Sequence, residues 1–432
     1  MGSLGLALFG FGTVGAQVAS LLDEHRAAYR EICNAELRLK WIVVRDGDKP
    51  RAGATAGATV TTDPRRAIED PEVAIGIETM GPAEASYQAI AGLLAAGKHA
   101  VTANKALLAA RGPELFRLAR EANRTIAFEA AVGGGIPIIA ALADGLASNR
   151  ISALSGILNG TSNYILTAMH EEGLTYQSAL AAAQAKGFAE ADPTLDIDGT
   201  DAAQKLSLLA RLAFGAWVDS RSIRRRGIDT FDAADIAFAK ELGYVVKLIA
   251  AAHREGDRLH LQVAPTLVPA GHPMAVVRGE YNAVRVTGDA VGDVFFQGKG
   301  AGGRPTAGSV VADALGLATG RLASTFASLR LWREDATAPR FSPDLGQRSR
   351  FYLRFGITDR PGVLAQIAGV LGTHGISIAS VIQHEVAAAK GSGVPLVIMT
   401  HHAAEDAVSA ALAEADGLPV VLSPTVRLHV AD

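Results

Sequence analysis

The first part of the chain alternates short apolar runs with longer amphipathic segments. The apolar runs have strand length and lie at 4–9, 37–44, 73–77, 99–102 and 125–128. The segments with helical periodicity between them include 14–29, 83–96 and 114–122. This alternation predicts an α/β fold with a Rossmann-type, doubly wound parallel sheet.

The pattern changes after residue 132 and again near residue 335. Strand candidates at 153–158, 259–268 and 283–287, mixed with helices, predict a mixed α/β domain with its own sheet. A polar, proline-containing linker is expected at 335–347. The predicted domains are 1–132 with 306–335, then 133–305 for catalysis and oligomerisation, and 348–432.

Composition limits the class of protein. The 432 residues suit two or three domains, and a formal net charge of −3 gives no basic field for nucleic acid or an anionic membrane. There is no charge-free apolar run of about 20 residues, the length that a membrane-spanning helix needs. Residues 1–9 are too short for a secretory signal. The single cysteine, Cys33, excludes an internal disulfide and fits a reducing compartment, so we expect a cytoplasmic protein.

The sequence GFGTVG joins the first predicted strand to the first helix, the context that a dinucleotide-binding turn requires. We expect Gly10 to permit the tight turn, Gly12 to let backbone approach a pyrophosphate, and Gly15 to let the helix pack on the strand. The helix N-terminus would add N–H groups for the phosphates. A turn that merely tolerates glycine is the alternative. The predicted cofactor-binding residues here are Gly10, Phe11, Gly12, Thr13, Val14 and Gly15.

The end of the second predicted strand bears on cofactor choice. Arg45 stands where an NAD site usually has an acid, and Lys49 and Arg51 follow closely. Positive charge suits a 2′-phosphate, so we expect NADP(H) rather than NAD(H). Asp46 keeps NAD(H) open, and a solvated basic turn is the other interpretation.

Two further segments are candidates for ligand contact. Asn104 and Lys105 come just past the fourth predicted strand, and ligands of open α/β sheets lie beyond the carboxyl ends of the strands. A surface lysine at a helix start is the alternative. Glycines at 298–303 lead into a helix expected near Thr306, a good N-cap, and form either a loop near the cofactor or a plain hinge.

Three glycines at 133–135 follow the last strand of the first domain. Glycines expose backbone carbonyls at close quarters, which could hold a small hard cation. A simple crossover between domains is the alternative. Pro137 then occupies the first turn of the next helix, where proline is tolerated.

An acidic run ends in one lysine, in the sequence FAEADPTLDIDGTDAAQKL. Asp201 and Lys205 are four apart and share a helix face, with Asp198 or Thr200 as the expected cap. A capped helix start with an ion pair explains these two residues but not Glu190 and Asp196. Clustered carboxylates indicate a cationic ligand such as an amino-acid ammonium, and the lysine could transfer a proton.

Taken together, these motifs resemble those of homoserine dehydrogenases, as do FEAAVGGGIPII, SGILNGTSNYIL and GKGAGGRPTAGSV. The resemblance runs through nearly the whole chain. It implies reversible reduction of L-aspartate 4-semialdehyde to L-homoserine by NADPH or NADH, within the pathway to threonine, methionine and isoleucine. It also implies a homodimer or homotetramer.

The resemblance assigns roles residue by residue. Lys205 would transfer the proton beside Asp201, and Lys105 would be a second catalytic or cofactor-contacting lysine. Glu190, Asp196 and Asp201 would bind substrate, while Gly187 and Gly302 would border the cofactor. The family's structural sodium ion would be held by the carbonyl groups of Glu129, Val132, Gly134 and Ile136.

The tail resembles an ACT domain, a ferredoxin-like module that senses small ligands. Its sequence from 351 reads strand, turn, helix, strand, and further strands are expected at 395–400 and 426–430. The turn DRPG precedes a helix whose N-terminus could meet a carboxylate. Ser377 stands where many ACT domains have asparagine. The family suggests L-threonine as effector, and a dimerisation module without ligand is the alternative.

Two rival functions are weaker. A semialdehyde dehydrogenase that forms a thioester needs a nucleophilic cysteine, and Cys33 lies far along the sequence from the acidic run. A non-catalytic sensor of nucleotides and amino acids needs no lysine placed to move a proton. The 432 residues include no kinase-sized segment, so we expect no fusion with aspartate kinase.

Overall fold

The computed structural model describes residues 2–49, 57–229, 231–329, 338–343, 348–384 and 393–431. Its first domain contains a six-stranded parallel sheet flanked by helices. The strands are β1 (Gly2–Phe9), β2 (Ala35–Val43), β3 (Thr59–Thr61), β4 (Val73–Glu78), β5 (His99–Thr102) and β6 (Ile126–Ala127). Their order in the sheet is β3-β2-β1-β4-β5-β6, so the chain reverses direction across the sheet beside β1.

The helices of this domain are α1 (Thr13–Glu24), α2 (Arg26–Cys33), α3 (Pro64–Glu69), α4 (Ala83–Ala95) and α5 (Lys105–Glu121). The doubly wound sheet is confirmed, but three details differ from expectation. The helix expected over 14–29 breaks at His25, strand β3 was missed, and α5 begins at Lys105 although Pro113 lies inside it. Proline lacks an N–H and so argues against a helix interior, which is why only 114–122 was predicted.

The second domain begins with a 3-10 turn at Glu129–Ala131 and a short helix, α6 (Ile138–Ala140), that continues as a π-helical turn at Ala141–Gly145. Its sheet is built from β7 (Ile151–Ile157), β8 (Arg224–Arg225), β9 (Tyr244–Glu255), β10 (Arg258–Pro269), β11 (Tyr281–Gly288) and β12 (Gly292–Lys299). Its helices are α7 (Gly160–Glu172), α8 (Tyr176–Ala185), α9 (Thr194–Ile197), α10 (Thr200–Phe214) and α11 (Ala233–Glu241).

The chain then returns to the first domain through α12 (Gly303–Ala318) and α13 (Arg321–Ser328). The helix expected near Thr306 instead starts three residues earlier, and its N-cap is Gly302 with φ of 111°. Such a positive φ is accessible to glycine at little cost, whereas threonine would be strained there. Gly303 lies against the start of α1, where an added Cβ would come within 3.0 Å of Thr13 Cγ2.

The C-terminal domain has two helices, α14 (Val363–Thr373) and α15 (Glu405–Asp416), against an antiparallel sheet. The strands, numbered from the preceding linker, are β13 (Arg340–Phe341), β14 (Arg348–Ile357), β15 (Ile378–Gln383), β16 (Val394–Thr400), β17 (Ala403–Ala404) and β18 (Val421–Val430). The domain has an apolar core of its own, which includes Phe351, Phe355 and Ile367. The parts of the expected linker at 335–337 and 344–347 lie outside the described residues.

Strand β18 joins the two sheets into one. It pairs with β14 along its length and with β10 at its end, through Thr266 with His429 and Leu267 with Val430. The order is β12-β11-β7-β9-β10-β18-β14-β16-β15. None of the helices in the described ranges has the length and apolar character that a bilayer crossing requires.

Candidate active site

The glycine turn lines a cavity of about 930 Å³ at the carboxyl ends of β1 and β2. Gly10, Phe11, Gly12 and Thr13 form one wall of this cavity. Val14 and Gly15 follow in the first turn of α1 and do not line the cavity.

Each glycine of the turn has a distinct geometry. Gly10 has φ of 97°, and a Cβ there would lie 2.8 Å from the carbonyl oxygen of Thr79. A Cβ on Gly15 would collide with the carbonyl oxygen of Gly10, whereas one on Gly12 would meet no atom within 4 Å. The chain therefore approaches itself closely at Gly10 and Gly15 and leaves open space at Gly12, as a pyrophosphate requires.

The opposite side of the cavity is basic. Arg45 and Lys49 lie there with Asp46, and Arg65 joins them from the start of α3. Arg65 was not predicted, because β3, the strand that precedes α3, has only three residues and was not recognised. Asp63 caps α3 by accepting from Arg65 N, at 3.0 Å, and a cap followed by Pro64 is the sequence signal that could have found this helix. Arg51 lies outside the described residues.

The second cluster joins the two domains around one carboxylate. Asp201, in the first turn of α10, has its Oδ2 atom 2.7 Å from Lys205 Nζ, and its Oδ1 atom 3.1 Å from Lys105 Nζ. Lys105 begins α5, directly after the cap residue Asn104 at the end of β5. Lys205 also donates to the carbonyl oxygen of Leu158, at 2.7 Å. The structure thus brings all three predicted catalytic residues together.

The charge of Asp201 is stabilised by its neighbours. Burial favours the neutral acid, but the charges of Lys205 and Lys105 and the hydrogen bonds to the carboxylate outweigh it and lower the pKa of Asp201 to about 2. Asp201 therefore stays ionised at any physiological pH. Lys205 is itself only 8% exposed, so this ion pair lies in a largely dry site.

Asn159 connects Asp201 to the next carboxylate. Its Nδ2 atom donates to Asp201 Oδ2 at 2.9 Å and to Asp196 Oδ1 at 2.8 Å. Thr161 Oγ1 lies 2.7 Å from the carbonyl oxygen of Phe188 and 3.1 Å from Asp196 Oδ2, and its single O–H can donate to either acceptor. Burial raises the pKa of Asp196 against these hydrogen bonds, and the nearby charge of Asp201 adds to the rise. Asn159 and Thr161 lie in the sequence SGILNGTSNYIL, from which we predicted no role for either residue.

The turn before α10 differs from the prediction. Neither Asp198 nor Thr200 is the N-cap, which is Gly199 with φ of 85°. Asp198 nevertheless accepts from Thr200 N at 2.7 Å, so its carboxylate satisfies a free N–H of the first turn. Asp196 lies in the short helix α9 and not in an irregular loop.

Three predicted residues lie outside both clusters. Glu190 is exposed, and within the described part of the chain its carboxylate has no hydrogen-bond or ion-pair partner. Gly187 is exposed in the turn after α8, with φ of 74°. Gly302 precedes α12 near the start of α1, but neither glycine lines the 930 Å³ cavity.

In the glycine segment after β6, Gly133 and Gly134 are buried and Gly135 is exposed. Gly135 N donates to the carbonyl oxygen of Lys299 at 2.9 Å, and Ser309 donates to that of Gly134 at 2.6 Å. The Glu129 side chain accepts from Ile139 N and Ala140 N, at 2.7 and 2.8 Å. It therefore caps the next helix, which the sequence did not predict.

Comparisons with known proteins cover the whole chain. Residues 10–129 match the family model "Homoserine dehydrogenase, NAD binding domain", 137–315 match "Homoserine dehydrogenase", and 351–419 match "ACT domain". Homoserine dehydrogenases of Pseudomonas aeruginosa and Bacillus subtilis are each 39% identical, covering 98% of this chain and 98% and 96% of theirs.

Solved structures that resemble this chain are also homoserine dehydrogenases. A homoserine dehydrogenase from Thiobacillus denitrificans superposes with a TM-score of 0.92 at 38% identity, covering 100% of this chain and 98% of that one. A hyperthermophilic archaeal homoserine dehydrogenase in complex with NADPH gives 0.62 at 28% identity, covering 73% and 97%. From its dinucleotide turn, its lysine–aspartate cluster and these relatives, the chain belongs to the homoserine dehydrogenase family, oxidoreductases that use a nicotinamide cofactor, and it carries a C-terminal ACT domain.

Proposed function

We propose that the cluster of Asp201, Lys205 and Lys105 is where this chain interconverts L-aspartate 4-semialdehyde and L-homoserine. The observation that supports it is the bridge by Asp201 between a lysine of each domain, at 2.7 and 3.1 Å. The bridge brings a residue of the dinucleotide-binding domain, Lys105, to the carboxylate of the second domain, which is where substrate and cofactor would meet.

Lys205 is the proton-transfer group. Its ammonium has three N–H bonds, and two of them donate to Asp201 and to the carbonyl oxygen of Leu158. The third is available to the aldehyde oxygen of the substrate. In reduction Lys205 donates the proton that the new hydroxyl needs, and in oxidation it takes that proton back. The nicotinamide, when bound, supplies or accepts the hydride.

The carboxylates bind the amino-acid end of the substrate. Asp196 is held beside Asp201 by Asn159. Because both oxygens of Asp201 already pair with the two lysines, Asp196 is the nearer acid left to attract an ammonium group. Glu190, exposed just before this segment, is proposed as a second ammonium contact that closes on substrate. Lys105, on the cofactor side of Asp201, orients that carboxylate and would contact substrate or cofactor.

The decisive experiment replaces Lys205 with alanine. We expect turnover in both directions to fall to background while cofactor binding, followed by nicotinamide fluorescence, is unchanged. Lys299→Ala, an exposed lysine at the end of β12, serves as the control for loss of one charge. Activity close to wild type in Lys205→Ala would refute the assignment.

NADP(H) is the proposed cofactor, because Arg45, Lys49 and Arg65 surround the cavity at the end of β2. The NADPH in the archaeal relative is consistent with this choice. Gly187 and Gly302 are proposed to border the dinucleotide once it is bound. Arg45→Ala and Arg65→Ala should each raise KM for NADPH about tenfold, the effect of one lost charge-assisted hydrogen bond, and leave KM for NADH nearly unchanged. Equal effects on the two cofactors would contradict it.

A structural sodium ion is proposed at the carbonyl groups of Glu129, Val132, Gly134 and Ile136. All four residues are buried, and Gly134 and Ile136 each have one carbonyl hydrogen bond, which leaves a second lone pair for a cation. Replacing sodium by choline in the buffer should lower the melting temperature, and an unchanged melting temperature would contradict the proposed site.

The C-terminal domain is proposed to bind L-threonine as effector, and the enzyme to be a cytoplasmic homodimer or homotetramer. The ACT match supports an amino-acid ligand, and the turn before α14 ends at Gly362 with φ of 87°. Titration with threonine and light scattering test these two proposals. The boundaries 1–132 with 306–335, 133–305 and 348–432 are proposed as the working domains, and the boundary at 305 falls inside the first turn of α12.

A further inference from the structure

An arginine-rich cleft lies between the second domain and the C-terminal domain, away from both clusters described above. Three consecutive arginines, Arg224, Arg225 and Arg226, contribute to it from β8 and the residue that follows. Arg427 and His429 line the other side, from β18. The cleft has a volume of about 70 Å³.

Negative charge in the cleft is far less than positive charge. Within the described part of the chain, Glu405 is the single carboxylate that forms ion pairs with these arginines, 2.9 Å from Arg427 and 3.6 Å from Arg224. Arg225 has no hydrogen-bond or ion-pair partner through its side chain among the described residues. Glu405 therefore pairs with two of the four arginines, while Arg226 donates to the carbonyl oxygen of Arg427 at 2.6 Å.

The far wall of the cleft is buried and incompletely paired. His429 Nδ1 is buried without a hydrogen-bond partner, and the His429 side chain is 13% exposed. Burial, together with the charges of Arg427, Arg224 and Arg226, lowers the pKa of His429 to about 4. Burial and the charges of Arg224 and Arg226 also lower the pKa of Arg427, although Glu405 opposes the change. Burial is the larger cause of both shifts, and the neighbouring arginine charges add to it.

We propose that this cleft binds a small oxyanion with two negative charges, for which a phosphate group is the best match. Arginine presents paired N–H donors in the geometry that phosphate oxygens accept. A water molecule needs about 10–15 Å³ of such space, so a cleft of about 70 Å³ holds a group of about five non-hydrogen atoms. An anion here contacts both domains and supplies the charge that Glu405 alone does not.

The cleft lies next to the segment that leads into the active-site helix. Ile228 N donates to the carbonyl oxygen of Ile197 at 2.8 Å, and Gly227 is so close to Ile197 and Asp198 that a Cβ would collide with them. The three arginines thus continue directly into the backbone that supports the turn before α10. The site is distinct from the cofactor cavity, and the inference goes beyond the proposed reaction.

The test is titration of the full-length enzyme with inorganic phosphate by calorimetry, with ionic strength held constant by sodium chloride and NADP⁺ kept saturating so that the cofactor cavity is filled. We expect saturable binding and a rise in melting temperature that chloride does not reproduce. Arg225→Gln and Arg224→Gln should each weaken phosphate binding about tenfold, the effect of one charge-assisted hydrogen bond.

Arg221→Gln is the matched control. Arg221 precedes β8 by three residues and pairs with Asp219 outside the cleft, so its loss should leave phosphate affinity unchanged. Parallel titrations with glycerol phosphate separate free phosphate from a phosphate monoester. Absence of saturable binding, an equal response to chloride, or equal affinity in Arg225→Gln and wild type would each overturn the proposal.

Discussion

At the scale of single residues, one amide group organises the carboxylates of the active site. Both N–H bonds of Asn159 are used, one on Asp196 and one on Asp201, and its Oδ1 atom accepts from Ser162 N at 2.8 Å. This backbone contact fixes which end of the amide is oxygen. Asn159 is therefore a positioning residue that keeps two like charges side by side in a set geometry.

Replacing Asn159 by serine tests this role. Serine can still cap α7, because its hydroxyl accepts from the same N–H, but it cannot reach both acids. We expect kcat/KM for homoserine to fall about tenfold to a hundredfold, the range for one or two hydrogen bonds to charged groups. Thr175→Ala, which removes the cap of α8, is the control and should cost stability without loss of activity. Unchanged kcat/KM in Asn159→Ser would contradict the role.

A positioning residue such as Asn159 is hard to recognise from the sequence. Lys205 and Asp201 were predicted because they are four apart on one helix, and Lys105 because it follows a strand end. Asn159 looks like an ordinary helix cap, and its two acidic partners come 37 and 42 residues later. Contacts of this range depend on how α7, α9 and α10 pack, which no local pattern contains.

At the scale of elements, the turn between β1 and α1 contains one glycine that packing requires and another that leaves space for a ligand. Gly15 is required by packing, since its Cβ position is filled by the Gly10 carbonyl oxygen, while Gly12 faces open space with φ of −86°. The same substitution at these two positions should therefore have opposite consequences.

We expect Gly12→Ala to fold with stability close to wild type but to bind cofactor at least tenfold more weakly, because the methyl group occupies the space left for the pyrophosphate. Gly15→Ala should instead lose about 1–3 kcal/mol of stability through overpacking. Urea unfolding and cofactor titration of both variants measure the two effects. Loss of stability in Gly12→Ala would show that its open space is not reserved for a ligand.

Strand β9 was not among the strands that we predicted from the sequence. Its alanine-rich stretch suggests a helix, yet it pairs with both β7 and β10 and is largely buried. Pairing on both sides, not propensity, decides its structure. It also carries Lys247, which is 1% exposed and donates to Asn163 Oδ1 at 3.0 Å and to the carbonyl oxygen of Val277 at 2.6 Å.

Because Lys247 is buried, the free energy of unfolding should change with pH in the alkaline range. Burial lowers its pKa from 10.5 to about 8, so between those values the unfolded chain holds a proton that the folded chain has released. Stability from this group therefore rises with pH, by up to about 1.4 kcal/mol per unit. Urea unfolding at pH 7 to 10 should show wild type gaining about 2 kcal/mol relative to Lys247→Met. The exposed Lys240→Met is the control, and parallel curves for Lys247→Met and wild type would contradict the prediction.

At the scale of the whole molecule, a buried ion pair fastens the C-terminal domain to the second. Asp235 of α11 accepts from Tyr352 at 2.8 Å and from Arg354 Nε at 2.6 Å, both on β14. Asp235 and Tyr352 are almost fully buried. Loss of one partner would leave a charge without compensation, which costs more than the pair itself contributes.

We expect Asp235→Ala to lose about 3–5 kcal/mol and to split thermal unfolding into two calorimetric transitions, as the C-terminal domain uncouples. Asp232→Asn is the matched control, since it removes the charge of an exposed acid that contacts Arg354 at 3.3 Å but keeps the cap on Ala234 N, and it should cost less than about 1 kcal/mol. A single, unshifted transition in Asp235→Ala would show that the domains are held together elsewhere.

The pairing of β10 with β18, which connects the two sheets, affects how the C-terminal domain can move. Only two residue pairs connect β10 to β18, whereas β9 and β10 pair along twelve residues. A sheet bends most easily where the fewest residue pairs hold it, so we expect tilting of the C-terminal domain to bend the sheet about Thr266 and Leu267. Strand β8 pairs with β10 a few residues away, at Gln262 and Val263, so one continuous strand would carry this tilt to β8.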